Sequence, residues 1–170
     1  MSSAVALDIQ NYIERIALLY ENNAVFFPTT EAHLLTKILR NKPPIEQSST
    51  DAVIPYITVF ESQTPIREVE VAGRDSRDAQ GGRVMELEIY SVAIVHEISA
   101  VESQKKLHTI TQNMRDILGK NLRLTNPTTG LDPLCRTNTI YEIPYLLSLN
   151  QPSLRAINVV CRPQVYVSLR

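Results

Sequence analysis

Apolar and polar residues alternate along the final stretch of the chain, from Arg155 to Arg170. The apolar positions are Ile157, Val159, Cys161, Val165, Val167 and Leu169, and the polar ones are Asn158, Arg162, Gln164 and Ser168. A period of two is typical of a β-strand with one buried face. Because the pattern continues so far, we expect this segment to be paired in a sheet. Pro163 lies inside it, which predicts a bulge, an edge position or a change of pairing partner there.

Two helices are expected in the first quarter of the chain. The segment from Val5 to Glu21 carries an apolar stripe at helical spacing, formed by Ile9, Ile13, Ile16 and Tyr20. This spacing predicts an amphipathic helix that covers a sheet. A shorter helix is predicted from Glu31 to Arg40, because threonines at 29 and 30 can cap its start and prolines at 43 and 44 end it.

The strongest helix signal follows Ser99. Ser99 and Glu102 match a capping box, in which the serine oxygen accepts from the amide three residues later. A stripe of apolar residues then continues to Leu118. Gly119 can adopt the left-handed conformation, so we expect it to close this helix.

The remaining patterns predict strands and one extended loop. Strand-like runs cover Ala52 to Phe60, Arg83 to Glu97 and Ile140 to Leu149, and the last of these pairs with the terminal strand in an antiparallel hairpin. Residues 61 to 83 have mixed charge and three of the five glycines, which predicts an extended loop or hairpin that contacts a partner. A solvated hairpin without a partner is the alternative. The predicted fold is a single α+β domain over 1–170, with a mainly antiparallel sheet, helices packed on one face and the order α-α-β-β-α-β-β.

The net charge of −1 hides an uneven distribution. Residues 1 to 104 contain 8 basic and 15 acidic side chains, whereas residues 105 to 170 contain 9 basic and 3 acidic ones. If the two halves form different surfaces, copies of the chain can meet head to tail and close a ring. The basic residues are spread over several predicted elements rather than clustered, which favours a diffuse surface charge over such a contact.

The sequence offers little catalytic chemistry. It has no phosphate-binding glycine loop, and His33, His96 and His108 fall on separate predicted elements without metal-binding spacing. Cys135 and Cys161 are expected to be small buried apolar residues. The chain also has no apolar run long enough to span a bilayer and no leader pattern at its start. We therefore expect no enzyme activity, no cofactor, no metal site and no membrane anchor.

One resemblance covers most of the chain. The long strand that begins at Arg83 (Arg-Val-Met-Glu-Leu-Glu-Ile-Tyr-Ser-Val-Ala-Ile-Val), the helix from Val101 to Leu118 and the closing hairpin from Ile140 to Leu169 resemble the tail terminator proteins of long-tailed bacteriophages. These proteins are also called tail completion or tail-to-head joining proteins. The resemblance is one of pattern and size, without a diagnostic motif.

The resemblance implies a structural virion protein, assembled in the host cytoplasm, at the head-proximal end of the tail. It implies a homohexameric ring that caps the tail tube, ends its polymerisation and joins it to a head-neck connector protein, while DNA passes through the lumen without sequence-specific binding. Residues expected to contact a neighbour or partner are Arg67, Arg74, Asp75, Arg77, Asp78 and Arg83. Glu86 and Glu88 are expected to face the lumen, where negative charge repels DNA.

Two other functions remain open on the sequence. A head-completion protein or a neck connector adaptor also assembles as a ring but binds the portal. A small cytoplasmic enzyme or ligand-binding domain needs a pocket with convergent polar groups.

Overall fold

The computed structural model of the protein describes residues 8–23, 37–44, 56–72, 82–126, 128–146 and 153–168. Within these residues the chain forms two helices and five strands in the order α1, β1, β2, β3, α2, β4, β5. The helices are α1 (Ile9–Asn22) and α2 (Ala100–Lys120), and the strands are β1 (Lys37–Arg40), β2 (Tyr56–Ala72), β3 (Gly82–His96), β4 (Thr137–Pro144) and β5 (Leu154–Ser168).

The strands form one mixed sheet in the order β1-β2-β3-β5-β4. β1 pairs with β2 in parallel, and the other three neighbouring pairs are antiparallel. The predicted α+β class is therefore confirmed, as is the antiparallel hairpin of β4 and β5. The sheet order places β1 and β2 on one side of β3, and β5 and β4 on the other.

The second predicted helix is wrong where the structure describes it. Lys37–Arg40 is a strand, and Ile38 lies opposite Ile57 in the parallel ladder with β2. A run of four residues carries no strand period of its own, so the distant partner strand decides its conformation. Residues 31 to 36 lie outside the described part of the chain.

Both helices pack on one face of the sheet. The apolar stripe predicted for α1 is confirmed, because Ile13, Ile16 and Tyr20 are buried in the same core cluster as the apolar side of α2. Alternate residues of the central strands complete this cluster: Ile57, Val59, Leu87, Ile89, Ala93, Val95, Val159 and Cys161. A strand contributes every second residue to one face, which explains this selection.

The other face of the sheet is also covered near its centre. Asn158, predicted to face outward, is 0% exposed, as are Val92 and Val160 on the same face. The side-chain oxygen of Asn158 accepts a hydrogen bond from the Ser91 backbone at 3.2 Å. The prediction of one buried face on the terminal strand is therefore wrong for the first half of β5.

β2 and β3 form a long hairpin. Pairing begins at Tyr56 with Ile94 and continues to Ala72 with Gly82, so residues 61 to 72 are strand. The register shifts between Glu61 and Ile66, where β2 has extra residues that include Pro65. Such a bulge bends the strand and leaves backbone groups without ladder partners. The centre of the predicted loop, residues 73 to 81, lies outside the described residues.

β5 continues through Pro163 without a bulge. Cys161 lies opposite Ile89 and Gln164 opposite Glu86, which is the same register on both sides of the proline. β4 pairs with β5 only as far as Gln164, and the described part of β5 beyond that point pairs with β3 alone. The predicted bulge and edge position are therefore wrong, whereas the change in pairing lies one residue from Pro163.

The start of α2 is confirmed, whereas the predicted glycine cap at its end is wrong. Ser99 Oγ accepts a hydrogen bond from the Glu102 amide at 3.2 Å, as the capping box requires. Gly119 lies inside the helix, and Asn121 closes it with an amide side chain that donates to Ile117 O at 2.7 Å. An amide side chain on the last carbonyls replaces the left-handed glycine.

Candidate functional site

Six residues were predicted to contact a partner, and the structure describes two of them. Arg67 lies on β2 and Arg83 on β3, in the distal half of the hairpin. Arg83 pairs with Glu68 across the two strands at 3.2 Å. The other four, Arg74, Asp75, Arg77 and Asp78, lie outside the described residues.

Glu86 lies in the sheet between two strands that are distant in sequence. Its side chain is only 7% exposed. Arg67 Nε donates to one carboxylate oxygen at 2.9 Å, and Gln164 Nε2 donates to the other at 3.1 Å. A carboxylate is stable in such a place only when charged or polar groups satisfy it. Glu86 is therefore neutralised within the chain.

Glu88 is held in the same way by Arg162, two residues before Gln164 on β5. Arg162 Nε donates to its carboxylate at 2.8 Å, and the Tyr90 hydroxyl donates to it at 3.2 Å. Burial alone would raise the pKa of Glu88. The hydrogen bond and charge of Arg162, together with Tyr90, outweigh burial and lower the pKa below its ordinary value.

These side chains form one network, which we call the carboxylate network: Arg67, Glu86, Glu88, Tyr90, Tyr141, Arg162 and Gln164. Its members lie on the sheet face opposite the helices. The guanidinium of Arg162 also lies 5.0 Å from the centre of the Tyr141 ring, a cation–π distance. Two carboxylates meet two guanidinium groups, so the network carries no net charge. The lumen position of Glu86 and Glu88 stays a prediction. Because each carboxylate is paired with a guanidinium group, neither supplies a free negative charge.

A groove runs along the bulge of β2. Three aromatic side chains line it, Phe60, Tyr90 and Tyr145, together with Gln10, Asn41, Pro43, Glu61, Ser62, Gln63 and Thr64. The Phe60 and Tyr90 rings meet edge to face, with centroids 5.8 Å apart. We call this the aromatic groove.

A second groove lies beside the first half of α2. It is lined by Val101, Lys105, His108 and Arg155, with Ala100, Gln104 and Thr109. Val101 is 64% exposed, and Ile98 just before the helix is 97% exposed. Because three basic side chains border exposed apolar ones, we call this the basic groove.

No protein-family model matches the chain, and no curated protein sequence matches it either.

Metal and thiol chemistry have little support in the described residues. No three His, Cys, Asp or Glu side chains there are grouped to hold a metal ion. Cys135 and Cys161 are buried and unbridged, and burial raises the pKa of each thiol to about 12. His96 Nε2 lies 2.9 Å from Ser153 Oγ, and His33 falls outside the described residues. In the part of the chain that the structure describes, no helix is long and apolar enough to cross a membrane.

The sequence indicated part of this arrangement. Glu86, Glu88, Arg162 and Gln164 were each predicted as polar positions of their strands, but the pairing between them was not predicted. The partners on β5 lie 74 and 78 residues further along the chain, and only the order of the strands brings them together. The two grooves join several elements each, so no local pattern predicts them.

Proposed function

We propose that this protein is a subunit of a ring that caps the tail tube of a long-tailed bacteriophage. In this role it ends tube polymerisation and joins the tail to a head-neck connector protein, while DNA passes through the ring. The observation that carries the proposal is the pair of unlike edges at the two sides of the sheet.

The first edge belongs to β2. β1 covers this strand only from Tyr56 to Val59, and in the described residues the outer side from Phe60 to Ala72 has no further strand partner. The opposite edge is β4, which pairs only with β5 among the described strands. Open edges of this kind are templates for pairing with another chain.

Unlike edges favour a ring over a two-fold dimer. When one edge of a copy meets the other edge of the next, the contact is heterologous, and it closes into a ring if the rotation per subunit is suitable. A hexamer, with tail-tube protein on one side and a connector on the other, is the assembly that the resemblance implies. A virion location follows from the same proposal.

The charge distribution supports the same arrangement. The basic second half of the sequence forms α2, β4 and β5, on one side of β3. Lys105, Arg136 and Arg155 are exposed on or next to these elements. Complementary charges on two sides of a subunit steer copies into head-to-tail contact.

Purified protein added to isolated tail tubes tests the proposal by electron microscopy. We expect a ring on one end of each tube and no further growth when free tube protein is added. Bare tube ends that continue to grow would overturn the proposal. Binding to isolated portal rings instead would support the neck connector as the function.

A further inference from the structure

The aromatic groove has the composition of a cation-binding site. Phe60, Tyr90 and Tyr145 present aromatic surface, and Glu61 supplies an exposed carboxylate, while none of the lining residues is basic. An ammonium or guanidinium group is attracted electrostatically to aromatic faces, and more strongly when it is desolvated. A nearby carboxylate adds to this attraction.

The carboxylate network does not supply a cation to the aromatic groove. The Tyr90 hydroxyl lies 3.2 Å from Glu88, and Arg162 is already bound to that carboxylate at 2.8 Å. The guanidinium of Arg162 also lies over Tyr141, away from Phe60. No residue that lines the aromatic groove is basic, so a second molecule can supply a cation there.

The basic groove is the complementary surface on the same chain. Lys105, His108 and Arg155 line it, and no acidic residue does. Lys105 and Arg155 are exposed. The basic groove is formed by α2 and β5, whereas the β2 bulge that forms most of the aromatic groove lies across β3 from β5. Neither Lys105 nor Arg155 lines the aromatic groove of its own chain.

We infer that the basic groove of a second copy docks against the aromatic groove, with Lys105 and Arg155 against Glu61 and the three rings. This inference rests on the proposed ring and names the contact between its subunits. Because the two surfaces differ, each copy contributes its basic groove to one neighbour and its aromatic groove to the other. Val101, which lines the basic groove and is exposed, adds apolar area to the contact.

Charge reversal on each side tests this contact. We expect Glu61→Lys to weaken self-association at least about tenfold in sedimentation velocity, because like charges then face each other. The double variant Lys105→Glu/Arg155→Glu is expected to do the same. The matched controls are Asp116→Lys and Arg123→Glu, which make single charge reversals at exposed residues outside both grooves. They are expected to associate within about twofold of the unchanged protein.

A mixture of the two variants makes the test specific. In an alternating ring, the Glu61→Lys groove faces the Lys105→Glu/Arg155→Glu surface, and the next contact joins two unchanged surfaces. We therefore expect the equimolar mixture to regain association to within about threefold of the unchanged protein, as electrostatic complementarity requires. Circular dichroism checks that every variant is folded.

Several outcomes would overturn the inference. These are normal association of either variant, equal weakening by the controls, failure of the mixture to recover, and an unchanged protein that stays monomeric. None of them decides the proposed function, because binding to tail-tube ends is measured separately. If the variants cap tail tubes and also associate normally, the proposed function stands and the inferred contact is wrong.

Discussion

Arg162 is the residue on which the carboxylate network depends most. It binds Glu88 at 2.8 Å, lies over Tyr141 and comes within 4.0 Å of Glu86. Arg67 binds Glu86 but is 60% exposed, so water can replace much of its contribution. The two arginines therefore differ in their effect on stability.

We expect Arg162→Met to lower the free energy of unfolding by about 2 kcal/mol, because it leaves a half-buried carboxylate without its cation. Arg67→Met serves as the comparison and should cost about 1 kcal/mol or less. Urea denaturation at neutral pH measures both. Equal losses for the two variants would contradict this view of the network.

The pKa of Glu88 gives the network a pH dependence. Because Arg162 and Tyr90 hold this pKa below its ordinary value, Glu88 contributes stability above the unfolded-state pKa of about 4.3. This contribution is lost as the pH falls through the lowered folded-state pKa. We expect the stability difference between the unchanged protein and Arg162→Met to be constant near neutral pH and to shrink in acid. Urea titrations across this range measure it, and a difference that grows in acid would show the opposite sign.

At the scale of elements, β1 is the strand with the fewest ladder partners. Its four residues pair with β2, and Arg40 ties it to α1 through Glu14 and Glu21. The two terminal nitrogens of Arg40 donate to the two oxygens of Glu21 at 2.8 and 2.9 Å. This bidentate geometry raises the pKa of Arg40 and needs a guanidinium group.

Arg40→Lys is therefore expected to loosen β1 while the core stays folded. A local loss of about 1 kcal/mol corresponds to roughly fivefold faster amide exchange in residues 37 to 40. Hydrogen exchange with mass spectrometry measures this rate. Arg115→Lys is the control, because Arg115 makes a single exposed contact to Glu142 at 3.1 Å. Unchanged exchange in β1 would show that strand pairing alone holds it.

The elements predicted from sequence are those with a strong local pattern. α1, β3, α2 and β5 each carry a long apolar period or a cap, and each was located to within a few residues. β1 was mistaken for the end of a helix, because its strand conformation depends on pairing with Tyr56–Val59. Asn158 was placed outside for the same reason, since one strand's period does not show what covers its second face.

The same distinction between local pattern and long-range pairing applies to the candidate site. Glu86 and Glu88 were found from the alternation of β3 alone. Their neutralisation required the register that sets Gln164 opposite Glu86, and this register depends on β5 lying between β3 and β4. The burial and the pairing of a charged group are therefore properties of the whole sheet.

At the scale of the molecule, the two sides of β3 differ in charge and in edge structure. If opposite charges join neighbouring copies, salt weakens the association. Raising the ionic strength from about 0.1 M to about 1 M shortens the Debye length from about 10 Å to about 3 Å. We expect about tenfold weaker self-association over this range by sedimentation velocity. Unchanged or stronger association in high salt would indicate that apolar contacts dominate the interface.

The position of β5 between β3 and β4 also determines the order in which the strands can pair during folding. β4 is synthesised before β5, yet β5 is its only partner among the described strands. The β2–β3 hairpin can form early from local contacts, whereas the β4 edge stays unstructured until β5 closes the long connection back to β3. If the two edges join neighbouring copies as proposed, a nascent chain lacks one of them until β5 has been synthesised, which would keep unfinished subunits out of the ring.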